Sequence, residues 1–204
     1  GDAASMPAAL RLAAEYGVTV GAHPSYPDRA GFGRRQLAAS ADEIAAWVTQ
    51  QIEALAEQAA LLGLRLAHVK PHGALYNRAA VDAEVARAVT RAVAAFNPGL
   101  LLVGLSGSML IEEARGAGLA VLNEAFPDRR YQPSGQLVSR ETKGALLTDP
   151  ALAARQALAL AQGQPVTTSS GVSLRIAADT LCLHSDTPNA LIIARAVHAA
   201  LNRG

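Results

Sequence analysis

The sequence has one cysteine, Cys182, so it cannot hold an intramolecular disulfide. That usage fits a reducing, cytoplasmic setting. It has little net charge: 18 basic side chains against 17 acidic ones, a formal balance of +1. This excludes the basic excess of a protein that binds nucleic acid electrostatically. With 50% of residues hydrophobic, it also excludes intrinsic disorder. No run of about 18 uncharged apolar residues exists, so no membrane-spanning helix and no membrane partner are expected. The opening GDAASMPAAL carries neither the basic flank nor the apolar core of a secretory signal. Several signatures of chemistry are missing as well. There is no G-x-x-x-x-G-K-[ST] phosphate loop, no G-x-S-x-G nucleophile elbow, and no H-E-x-x-H or paired C-x-x-C zinc pattern. Lysine is scarce: only Lys70 and Lys143 break a preference for arginine. That rarity is a weak hint of a chemical role for Lys70, since Lys143 is as rare without one.

What is present is a rhythm of helix, short apolar run and loop. A chain of 204 residues can bury about 70% of its unfolded surface, enough for one sizeable core. The spacing predicts helices over 3–16, 41–62, 82–96, 149–161 and 188–201, and one ending at Arg115. Short strands are predicted over 18–22, 64–70, 100–105, 119–122 and 180–183. Two more short strands are predicted around Ser170-Gly171. Ser40 followed by Glu43 is a capping box at the start of the second helix. Strands alternating with helices of this length predict parallel βαβ units in a single α/β domain over 1–204. Ligands of such folds bind at the carboxyl ends of the strands.

Unusual polar residues collect at those ends. GAHPSYPDRAGFGR, residues 21–34, holds His23, Asp28 and Arg34 in a loop stiffened by proline and glycine. HVKPHGALYN, residues 68–77, follows the next strand. Alternation along a strand puts His68, Lys70 and His72 on one face, where such groups are costly to bury unless paired. Lys70 suits neutralising an anion or acting as a base. The histidines suit metal ligation or proton transfer. His68 serves equally well as a satisfied core histidine. LCLHSD, residues 181–186, offers His184 with Asp186 as an imidazole–carboxylate pair, or Asp186 as a helix cap. EAFPDRRYQPSGQLVSR, residues 124–140, offers Asp128, Arg129, Tyr131 and Arg140 for phosphate or partner contact. GLSGS, residues 104–108, places Ser106 at a helix start suited to an anion.

Together these five motifs, in this order, resemble the LamB/YcsF family over essentially the whole chain. The resemblance implies an irregular (β/α) TIM-like barrel related to the polysaccharide deacetylase barrels. It implies ATP-dependent 5-oxoprolinase activity, opening 5-oxo-L-proline to L-glutamate together with 5-oxoprolinase subunits B and C. His23, Lys70 and His72 are expected as the catalytic centre, with Asp28, Arg34, Tyr76, Ser106, His184 and Asp186 on the substrate. ATP is the expected cofactor, bound by this chain or by its partners. A divalent metal, if any, falls to His23 and His72. Family members begin with an acidic N-A-D-x-G-E type strand and a second strand ending in G-F-H-A-G-D. Gly1-Asp2 matches the end of the latter, so those N-terminal strands are expected to be missing. Ser185 stands where the family commonly has glycine. Two other readings compete: a metal-dependent deacetylase-like amide hydrolase, and a non-catalytic scaffold docking its partners through Arg129 and Tyr131. Homo-oligomerisation is compatible with all of them.

Overall fold

The computed structural model describes residue 2 and residues 4–202. The chain is α/β, as expected, with parallel strands alternating with helices. It divides into two compact units, residues 1–104 with 108–121 and residues 105–107 with 122–204.

The first unit holds α1 (Ser5–Glu15), β1 (Val20–Ala22), α2 (Ala41–Ala60), β2 (Leu66–Val69), α3 (Gly73–Ala79), α4 (Ala83–Phe96), β3 (Leu101–Leu105) and α5 (Met109–Gly116). β1 pairs in parallel with β2, and β2 with β3. The core is aliphatic and alanine-rich. Ile44, Val48 and Ile52 of α2 and Val85, Val89 and Val93 of α4 are buried together with Val69 and Leu102 of the strands. The i, i+4 spacing within each helix puts those side chains on one stripe facing the sheet. The capping box forms as read: Ser40 Oγ accepts from Glu43 N–H, and the Glu43 carboxylate accepts from Ser40 N–H. Gly21 faces His68 across the β1–β2 pair. A Cβ on Gly21 would lie 2.2 Å from His68 Nε2, so only glycine leaves room for that ring. α3 was not foreseen. Its seven residues are too few to show a helical period, and Pro71-His72-Gly73 reads as a loop.

The second unit holds β4 (Val121–Ala125), α6 (Pro150–Ala161), β5 (Val166–Thr167), β6 (Ser173–Leu174), β7 (Thr180–Leu181) and α7 (Ala190–Leu201). β4 and β7 are parallel, with Ala125 beside Leu181. β5 and β6, the two short strands expected around Ser170-Gly171, pair antiparallel. Ala153 and Ala157 of α6 pack on Ile193 and Val197 of α7, with Leu181 and Leu183 against them. β4 is displaced from the expected 119–122. Apolar character fades after Leu122, but the ladder with β7 continues through Glu124 and Ala125. The Asp179 carboxylate also accepts from both the backbone and side-chain N–H of Asn123. The last helix begins at Ala190, after Asn189 in a left-handed conformation, rather than at Pro188.

Candidate active site

In the first unit, the loops after β1 and β2 are laced together. Lys70 N–H donates to Ala22 O at 2.9 Å, and His72 N–H donates to Pro24 O at 2.8 Å. Ala74 N–H donates to Gly33 O at 3.0 Å, closing the loop of residues 23–35 onto the start of α3. Two glycines permit that approach. Gly73 has φ +59°, and a Cβ there would lie 2.5 Å from Gly33 O. Gly33 itself has φ +67°. Asp28 braces the loop from inside. Its buried carboxylate accepts from Gly31 N–H and forms an ion pair with Arg35. The Arg35 hydrogen bond holds the Asp28 carboxyl below the usual carboxylate range. Asp28, expected on the substrate, is thus bound within its own loop. The Arg34 guanidinium lies 5.5 Å above the Phe32 ring.

This lacing brings His23 and His72 together. His23 Nδ1 is 2.6 Å from Lys70 O, His72 Nε2 is 2.8 Å from Phe32 O, and His72 Nδ1 is 3.0 Å from His23 Nε2. A carbonyl oxygen only accepts, so each ring donates a proton to its own carbonyl. The two rings are thereby fixed against each other, with His23 Nδ1 and His72 Nε2 as the nitrogens that donate outward. The expected shared strand face ends with β2 at Val69. His68 and Lys70 both line a cavity of about 600 Å³, with His23, Met6, Leu10 and Leu55. His72 turns to His23 instead, from the residue preceding α3. Tyr76 is buried on α3. As for a metal, the facing nitrogens of His23 and His72 are engaged with each other. Among the described residues, no group of three or more His, Cys, Asp or Glu could hold a metal ion.

In the second unit, His184 finds a different partner from the one expected. β7 ends at Leu181, so strand alternation does not reach Asp186. Because β4 and β7 run in parallel register, the residues following them meet. His184 Nδ1 lies 2.9 Å from Asp128 Oδ2. The same oxygen accepts from Thr187 Oγ1–H at 3.0 Å and from His184 N–H at 3.3 Å. Phe126 stacks on the imidazole, with centroids 5.5 Å apart and planes 14° apart. Burial pushes the Asp128 carboxyl up, but the bonds from His184 and Thr187 outweigh it and hold it below its ordinary value. Asp186 lies 3.6 Å from Arg140 Nη1. Ser106 is anchored here by its N–H, which donates to Glu124 O at 3.1 Å.

Arg129 and Tyr131 do not offer themselves for docking, because they are 4% and 0% exposed. Arg129 donates from Nη2 to Val138 O, and burial followed by the like charge of Arg140 lowers its pKa to about 10. The Tyr131 hydroxyl accepts from Phe126 N–H at 2.6 Å, and burial pushes its pKa up. Both side chains hold the 126–147 loop from inside. Gln156 of α6 adds hydrogen bonds to Phe126 O and Arg129 O. Phe126 and Thr187 were missed in the sequence. Only their closeness to the EAFPDRRY and LCLHSD motifs pointed to them.

The pattern of the LamB/YcsF family matches residues 1–204. The chain belongs to the LamB/YcsF family. Among its relatives is the A component of the 5-oxoprolinase of Thermus thermophilus, 52% identical over 195 residues, spanning 96% of this chain and 78% of the relative. The A component of the 5-oxoprolinase of Methylococcus capsulatus is 49% identical over 201 residues, spanning 98% of this chain and 77% of the relative. The crystal structure of a lactam utilization protein from Thermus thermophilus superposes with a TM-score of 0.93 at 50% identity. It covers all of this LamB/YcsF chain and 81% of that one. At this identity and coverage, the two share one α/β fold.

Proposed function

We propose that this chain is the A component of an ATP-dependent 5-oxoprolinase, opening 5-oxo-L-proline to L-glutamate with two partner subunits, B and C. The observation that carries this reading is the identity of about half the residues, over 96% or more of the chain, to proteins named as the A component of 5-oxoprolinase. A five-membered lactam is a stable amide, so its hydrolysis needs coupling. Moving the γ-phosphoryl group of ATP onto the lactam oxygen makes the ring carbon electrophilic, and a deprotonated water then attacks. The His23–His72 pair, with His23 lining the same cavity as Lys70, supports this reading, because anionic oxygens develop in the reaction and an imidazole that takes up a proton stabilises them. The single Cys182 agrees with a reducing, cytoplasmic setting.

The test is 5-oxoproline-dependent ATP hydrolysis and glutamate release, measured on the chain alone and with its partner subunits. Glutamate formation that requires this chain together with the partners is the expected result. A complex that hydrolyses ATP without regard to 5-oxoproline would overturn the reading.

A further inference from the structure

We propose that Asp128 and His184 form the proton-transfer dyad of the ring-opening step, with His184 Nε2 as the catalytic atom and Asp128 as a positioning residue. The inference rests on the 5-oxoprolinase reading above and deepens it.

The chemistry needs an imidazole nitrogen with a lone pair. The His23–His72 pair does not supply one, because all four of its ring nitrogens lie in hydrogen bonds and two of them must donate to carbonyls. His184 differs. Its Nδ1 faces the Asp128 carboxylate, an acceptor, so Nδ1 carries the proton. The lone pair therefore falls on Nε2, and no hydrogen bond among the described residues reaches that nitrogen.

The orientation is fixed on several sides. Asp128 Oδ2 accepts from the ring, the backbone N–H of the same histidine and Thr187 Oγ1–H. The Asp128 side chain is 1% exposed, so it does not leave this position for water, whereas the His184 side chain is 23% exposed and reachable. The Phe126 ring covers one imidazole face. Both residues follow the carboxyl ends of paired parallel strands, β4 and β7, the end where α/β folds carry their ligands.

In the step itself, Nε2 takes a proton from the attacking water as the oxygen forms its bond to the ring carbon. The imidazolium, stabilised by Asp128, then gives that proton to the ring nitrogen as the C–N bond breaks. The nitrogen keeps the electron pair of that bond and becomes the amine, the former water oxygen closes to the carbonyl of an acyl phosphate as its remaining proton passes to solvent, and a second water then releases inorganic phosphate and leaves glutamate, with His184 back in its starting state. Asp128 stays ionised throughout, orienting the ring and holding its tautomer.

The test uses the full chain reconstituted with its partner subunits. His184→Gln is expected to lower kcat for glutamate formation by ~10²- to 10⁴-fold, the usual worth of a positioned acid or base, with KM for 5-oxoproline nearly unchanged. Asp128→Asn is expected to lower kcat in the same way by disturbing the tautomer. Thr187→Val should give a smaller loss that Thr187→Ser restores. Nitrogen NMR of the unsubstituted chain should show His184 protonated at Nδ1, a readout independent of turnover and of how the variants fold. His184→Gln with kcat within about threefold of the parent, or a His184 resonance showing Nε2–H, would overturn the dyad. A kcat that holds while only melting temperature falls assigns the pair to stability and overturns the proposal too. A parent complex that makes no glutamate, with the Nδ1–H signal intact, overturns the functional reading and the step assigned within it.

Discussion

His72 Nδ1 lies 3.0 Å from His23 Nε2, although the two residues are 49 positions apart in sequence. Each ring is tied at its far nitrogen to a backbone carbonyl, Lys70 O for His23 and Phe32 O for His72. Nitrogen NMR should find His23 protonated at Nδ1 and His72 at Nε2, because a carbonyl oxygen only accepts. His72→Gln keeps bulk but breaks the contact between the rings. Glutamate formation by the reconstituted complex is expected to fall by ~10²-fold, the cost of a misplaced group in an active site, because His72 seats the His23 ring. Activity that survives this change would remove the pair from the reaction.

Gly73 sits at φ +59°, with Gly33 O 2.5 Å from where a Cβ would stand. The obstacle is backbone, so it cannot swing aside as a side chain would. Gly73→Ala is expected to cost ~1–3 kcal/mol through conformational strain. At roughly 2–4 °C per kcal/mol for a protein of this size, calorimetry should register the change. Activity should fall further than stability alone explains, because the same contact seats His72.

Asp128 has a folded-state pKa below its ordinary value. A carboxylate depressed in the native state adds stability that is present above its unfolded pKa and is lost as pH falls through the folded one. Asp128→Asn should therefore lower the melting temperature at neutral pH and narrow the gap from the parent below about pH 4, where carboxylates protonate in the unfolded chain. Asp28 and Asp82 are depressed as well. The comparison of parent with Asp128→Asn isolates this one group. A gap that stays constant across the acid range would contradict the assignment.

The Tyr131 hydroxyl is the acceptor for Phe126 N–H at 2.6 Å. Tyr131→Phe leaves that buried donor unsatisfied, and the change should cost ~1–3 kcal/mol. Chemical denaturation should show a lower midpoint with an unchanged slope, because the folded state loses a bond without changing its buried area. An unchanged midpoint would mean that the loop finds another acceptor.

Much of the fold was legible in the sequence, and the legible parts share a cause. α2, α4 and α6 are long enough for the helical period to show, and Ser40, Asp82 and Asp149 cap them through their own side chains. α3 is too short to show a period. β4 was misplaced because Asn123 and Glu124 are polar yet buried in a ladder. Composition carries no sign of such a ladder. Arg129 and Tyr131 read as surface contacts because charged and phenolic side chains in a loop suggest solvent, but here the loop folds around them.

By itself, the sequence determined the alternation of strands and helices, the caps, and the loops in which chemistry collects. These follow from interactions within a few residues of chain. Only the tertiary structure decided who partners whom. It joined His23 to His72 by packing one glycine-rich loop against another. It gave His184 to Asp128, 56 residues away, rather than to Asp186, because two parallel strands end side by side. A hydrogen bond depends on where two atoms stand in space, and spacing along the chain stops fixing that once a strand ends.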